Sequence, residues 1–148
     1  MKKFAFTLQA VYDYKLTVEK MQKTELAKVD TLLRELYAAK QALSDAFDRN
    51  NRARDAELLE KTADAQTLEA YEAFFRHIRE ERKKLAVKIK NAETAKLRCQ
   101  EVLIITMREI KTYNKLRGKQ YQEYLKEAAA EEEKELSDII SFSVAADT

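Results

Sequence analysis

The sequence predicts an all-α fold: a long two-helix antiparallel coiled-coil hairpin with a longer C-terminal helix. Three observations predict it. Alternating steps of three and four residues from Leu68 meet Tyr71, Phe75, Ile78, Arg82, Leu85, Ile89, Ala92, Lys96, Cys99, Leu103, Thr106, Ile110, Tyr113, Arg117, Gln120 and Tyr124, and twelve of these seventeen positions are apolar or aromatic. Such a stripe drifts around a straight helix, so burying it requires a partner helix in a left-handed supercoil. The 148 residues include no proline and one glycine, Gly118, and 36% of them are charged. Turns draw on Gly and Pro, so this chain makes very few, and its Ala, Glu, Lys, Leu and Arg content is that of coiled coils. Finally, a polar interruption between about Asn50 and Thr67 separates this stripe from an earlier one.

Taken in order, the elements form one hairpin over residues 1–148. Residues 1–6 are a basic and aromatic lead-in, and Thr7 is placed to cap the first helix through its hydroxyl. Helix 1 is expected over about 7–60. Its apolar residues are Leu8, Val11, Tyr14, Val18, Met21, Leu26, Val29, Leu32, Leu33, Leu36, Ala39, Leu43 and Phe47, spaced mainly by three and four. The seam is weaker where Lys15, Gln22 and Glu25 hold strict heptad positions. After Phe47 the run Asp48-Arg49-Asn50-Asn51 is polar and contains poor helix formers. The loop is expected at about 61–66. No glycine there supplies a left-handed residue, which points to an open loop of several residues. Asp64 or Thr67 is the expected cap of helix 2, which is read over about 67–137. At about 1.5 Å per residue, roughly 70 residues reach about 105 Å. Because helix 1 is shorter, residues from Tyr121 onward are expected to overhang it. Ala128 to Glu135 has no seam and strong helix propensity, and 138–148 is read as a flexible tail ending in the small apolar cluster Ile139, Ile140, Phe142 and Val144. Gly118 is either a tolerated mid-helix glycine or a joint before the overhang.

Composition excludes most chemistry. Cys99 is the single cysteine and lies on the apolar stripe, where a thiol acts as a small hydrophobe. His77 is alone, off the stripe between basic neighbours. There is no His/Cys cluster for a metal, no glycine-rich phosphate loop and no nucleophile beside a base. Exposed carboxylate runs such as Glu131 to Glu133 have no pocket to shift a pKa. The expectation is a protein without catalytic, cofactor or metal sites, acting through its surfaces. No apolar run approaches the ~20 residues of a bilayer span, and no signal peptide is visible after Met1-Lys2-Lys3, which fits a reduced cytoplasmic setting. The net charge of +2 conceals an asymmetry. Arg76 to Arg98 holds nine Lys/Arg against three Asp/Glu, a balance of +6, and Glu123 to Asp138 holds two against seven, a balance of −5. The basic stretch has no stacking platform or nucleic-acid fold signature, so it reads as a solvated flank and no nucleic-acid partner is expected.

Several stretches resemble the FliJ family of the flagellar type III export apparatus. Phe4-Ala5-Phe6-Thr7-Leu8-Gln9-Ala10-Val11-Tyr12-Asp13-Tyr14-Lys15 is similar to that family's F-x-F-x-L-x-x-V-L-x-Y-R opening, with Glu19 at the later acidic position. Tyr12 and Lys15 depart from the usual Leu and Arg. Tyr71-Glu72-Ala73-Phe74-Phe75-Arg76-His77-Ile78 resembles the aromatic segment after the hairpin loop, and Glu131 to Ile139 resembles the acidic C-terminal stretch. The resemblance implies a coiled coil similar to the central stalk of rotary ATPases. Its implied partners are the hexameric flagellar export ATPase, the cytoplasmic domain of the export gate FlhA, and export chaperones. The implied place is the cytoplasmic face of the inner membrane, reached through the apparatus and without insertion into the bilayer. It also places a gate-binding aromatic and aliphatic pair, one helical turn apart, on Phe74 and Ile78. Read from the residues alone, both can instead pack the hairpin end, since Ile78 is on the stripe and Phe74 beside it. An elongated monomer when free is expected. The alternatives are a dimeric coiled-coil scaffold, a client-binding chaperone and the related injectisome stalk protein.

Overall fold

The computed structural model describes residues 2–147 and contains two long helices packed against each other. α1 spans Gln9–Glu60 and α2 spans Ala65–Ala146. The C-terminal helix is the longer, as its uninterrupted run of helix formers requires. Two compact units divide the chain: one joins the N-terminal residues up to Met21 with α2 from Leu103 onward, and the other runs from Gln22 to Val102.

The connection is tighter than an open loop. Glu60 ends α1, and Lys61 takes a left-handed conformation, φ 57°. Its amide donates to the Leu58 carbonyl (3.3 Å), and the Thr62 amide reaches back to the Glu57 carbonyl (3.0 Å). These two bonds satisfy carbonyls that the helix end leaves open. A lysine fills the place usually given to glycine. Asp64 then caps α2: its Oδ1 accepts the Thr67 amide at 2.7 Å, as an N-cap carboxylate does. The Thr67 side chain first, and then that amide bond, hold the Asp64 carboxyl below its ordinary pKa.

Within the Gln22–Val102 unit the core is the stripe of α2. Phe75, Ile78, Leu85, Ile89 and Ala92 are buried, and Leu33 of α1 is buried with them. Helix direction is antiparallel here: Asp30 pairs with Lys96 at 3.0 Å, Tyr37 donates to Glu93, and Arg54 lies 3.6 Å from Glu72. In the other unit Phe6 and Thr106 are buried, and Lys15 pairs with Glu109. Phe4 packs on Tyr121 (centroids 5.2 Å apart, 71° between planes) and on Tyr124 (5.5 Å). The Tyr124 hydroxyl donates to the Lys2 carbonyl at 2.9 Å. The lead-in is therefore an extended strap lying on α2, and Tyr121 and Tyr124 belong to its footing instead of to an overhang. Full exposure of α2 begins at residue 129 and continues to 147.

Three further expectations change. Thr7 is not the cap of α1; its hydroxyl meets the Gln120 side chain at 3.4–3.5 Å, because the strap is pulled toward α2 by Phe4 and Phe6. The apolar series of α1 also splits. Tyr14 and Met21 are each 64% exposed, and Val11 and Leu32 face solvent. The half-buried positions include Tyr12, Lys15, Glu19, Gln22, Leu26, Val29, Leu36 and Leu43. Polar heptad positions thus stand among the half-buried ones near the start of α1, and Gln22 Oε1 is buried without a hydrogen bond among the described residues. Lastly, the helical state passes Ser137 and ends at Ala146, since nothing between Ser137 and Ala146 is Gly or Pro.

Candidate partner-binding surface

The aromatic end of α2 next to the turn is built from both helices. Phe75 is 3% exposed and packs on Phe47 of α1, centroids 5.1 Å apart. Tyr71, one turn earlier, stacks on Phe75 at 6.4 Å and 19°. Its hydroxyl donates to Glu57 Oε1 at 3.1 Å, and burial, with that bond, raises the phenol's pKa. The Arg54 guanidinium lies 4.9 Å from the Phe75 ring centre, and Arg82 lies 5.0 Å from that of Phe47. Cations over ring faces add attraction beyond buried area. Arg54 also donates to Asn51 Oδ1 at 2.8 Å. The base of this surface is thus rigid, because aromatic packing and a polar network hold the same residues.

The two residues placed here by sequence resemblance have different environments. Ile78 is 3% exposed and sits on the seam. Phe74 is half-buried, with its ring edge-on to Phe75 at 5.9 Å and 66°. Residues four apart share a helix face, but here the inner one is covered by α1 and the outer one is reachable. Arg76, His77 and Arg79 around them are exposed. Sequence reasoning missed the strap, although its signal was present: Phe4 and Phe6 alternate at one end, and Tyr121 and Tyr124 lie one turn apart at the other.

Among the described residues no group of His, Cys, Asp and Glu is placed to hold a metal ion, and no helix is long and apolar enough to cross a membrane. The sequence profile of the family described as "Flagellar FliJ protein" matches residues 4–146. The chain belongs to the FliJ family. No curated protein and no solved structure is significantly similar to it. FliJ membership makes the chain a non-enzymatic component of flagellar export. Its match begins at Phe4 and ends at Ala146, so it takes in the strap, both helices and the exposed end of α2.

Proposed function

We propose that this FliJ chain is a stalk-like coiled coil that links the hexameric export ATPase to the cytoplasmic domain of the export gate FlhA and assists export chaperones in handing over substrates. It works at the cytoplasmic face of the inner membrane, held there by the apparatus. Phe74 is the gate contact, and Ile78 supports it from the seam. The exposed last part of α2 is the ATPase contact, and its carboxylates steer the approach in a salt-sensitive way. The observation that carries the reading is the half-buried Phe74 beside the buried Phe75 ring, in a chain whose residues 4–146 match the FliJ profile.

The test measures gate binding and ATPase stimulation separately. Phe74→Ala is expected to weaken binding to the FlhA cytoplasmic domain by at least about tenfold while the circular dichroism spectrum stays helical, since a central aromatic contact is worth ~2 kcal/mol or more. Removal of residues 129–148 is expected to leave gate binding intact and reduce stimulation of the ATPase. Gate binding unchanged in Phe74→Ala, or full stimulation by the shortened chain, would refute the corresponding assignment.

A further inference from the structure

Within the Gln22–Val102 unit, α2 turns one side to α1 and the opposite side to solvent. Successive helix residues are about 100° apart, so the buried Phe75, Ile78, Leu85, Ile89 and Ala92 fix where the outward side lies. Arg76, Arg79, Lys83, Val87, Lys90 and Leu97 stand on it in one row, and all six are exposed.

The excess positive charge of residues 76–98 is concentrated there. Two of the cations turn to α1 instead: Arg82 over the Phe47 ring and Lys96 to Asp30. The three carboxylates of the stretch are all engaged. Glu93 accepts from Tyr37, Glu81 lies 3.5 Å from Lys84, and Glu80 lies 3.6 Å from Lys83. Arg76, Arg79, Lys90 and, beside the row, Arg98 have no carboxylate partner among the described residues.

The shape and chemistry of the row select its occupant. From Arg76 to Arg98 it runs about 33 Å along the back of one helix, a convex edge that contacts a flat surface along its whole length. Val87 and Leu97, each 60% exposed, share the row with the cations. A nucleic-acid backbone gives these two no apolar contact, and no Phe, Tyr or Trp occurs between Arg76 and Arg98 to stack on bases. An anionic lipid surface fits both classes of side chain. Val and Leu sink between headgroups, while Lys and Arg lay their stems along the same apolar layer and hold their charges at the phosphates. Lipids also diffuse sideways, so their phosphates reach every cation without a matching register.

We propose that this row rests on the anionic headgroup surface of a membrane and holds this part of α2 along the bilayer plane. The contact is peripheral, since no helix among the described residues is long and apolar enough to span a bilayer. It is reversible and salt-sensitive, because each cation adds a modest, screened attraction. It does not depend on the gate or ATPase assignments.

The test is flotation of the full chain with vesicles, with circular dichroism on each variant. Binding is expected to phosphatidylcholine vesicles containing one-third phosphatidylglycerol, not to pure phosphatidylcholine, and to weaken at least about tenfold between ~100 and ~500 mM NaCl. Arg76→Glu/Lys83→Glu/Lys90→Glu is expected to lose at least about tenfold in affinity while staying helical. The same charge change on α1, Lys28→Glu/Arg49→Glu/Arg52→Glu, is expected to bind like the wild type, which separates the row from net charge. Val87→Ser/Leu97→Ser, with every charge kept, is expected to lose about threefold or more. No binding to the anionic vesicles, equal losses from the α1 and α2 charge changes, or full binding by Val87→Ser/Leu97→Ser would each overturn the proposal. Tighter binding to a DNA duplex of about 20 base pairs, lost in the α2 charge variant and kept in Val87→Ser/Leu97→Ser, would assign the row to nucleic acid and overturn it equally.

Discussion

Phe74 and Phe75 are neighbours with opposite roles, and replacing each by alanine separates surface from core. Phe75 is 3% exposed and touches Phe47, Tyr71, Phe74 and Arg54. Truncating such a ring removes its transfer free energy and leaves a space that two helices cannot easily close, a loss of about 3–5 kcal/mol. For a chain of this size each kcal/mol moves Tm by about 3–4 °C, so Phe75→Ala is expected to melt at least about 10 °C lower. Phe74 is half-buried, with its ring packed edge-to-face on that of Phe75. Its loss is the edge-to-face term and part of its area, about 1–1.5 kcal/mol, or about 4–5 °C. Thermal denaturation followed at 222 nm measures both. Equal losses from the two substitutions would refute the division into a reachable and a buried phenylalanine. A loss from Phe74→Ala as large as that from Phe75→Ala would also remove Phe74 from consideration as a contact.

Lys61→Gly is expected to raise stability by about 0.5–1 kcal/mol, read as a higher urea midpoint, because a left-handed residue other than glycine is strained; Lys61→Val is expected to lower it. Gly118→Ala is expected to gain about 0.5–1 kcal/mol in the same assay, since an added Cβ meets nothing within 4 Å and alanine is the better helix former. Wild-type stability is expected to fall as pH drops through the depressed pKa of Asp64. Its folded pKa lies below 3.8, so its contribution is present above the unfolded value and disappears on protonation. Asp64→Asn, which keeps a capping oxygen, is expected to flatten that part of the acid melt; an unchanged acid profile would show that the cap does not titrate with folding.

The stripe of α2 was legible because its period is long and nearly unbroken, and Phe75, Ile78, Leu85, Ile89 and Ala92 lie buried where it put them. The first half of α1 was misread for a physical reason. Two helical rows are available there, and the more apolar one, through Tyr14 and Met21, is not the one that faces α2. Lys15 and Gln22 are half-buried instead, Lys15 in an ion pair with Glu109 of α2. Local hydrophobicity does not report that pairing. Asp64 announced itself by residue type, whereas Lys61 did not, since the strained φ is imposed by the helix-ending bonds and by no feature of lysine. At the candidate surface, the burial of Ile78 followed from the stripe, and the half-exposure of Phe74 needed the position of α1.

The four-residue connection from Lys61 to Asp64 also sets an order of events in time. Contacts beside it join residues close in sequence: Tyr71 reaches Glu57 across 14 positions, whereas Thr7 reaches Gln120 across 113 and Tyr124 reaches Lys2 across 122. Chain-closure entropy rises with the logarithm of that separation, and contacts that span little sequence form fastest. Folding is thus expected to nucleate at the turn and zip away from it, with the aromatic strap closing last. The strap joins few residues at the far limit of that sequence, so it belongs to the least protected cooperative unit. In native-state hydrogen exchange the amides near Tyr121 and Tyr124 are expected to open before those around Phe75, which makes strap release an early and reversible excursion of the folded chain.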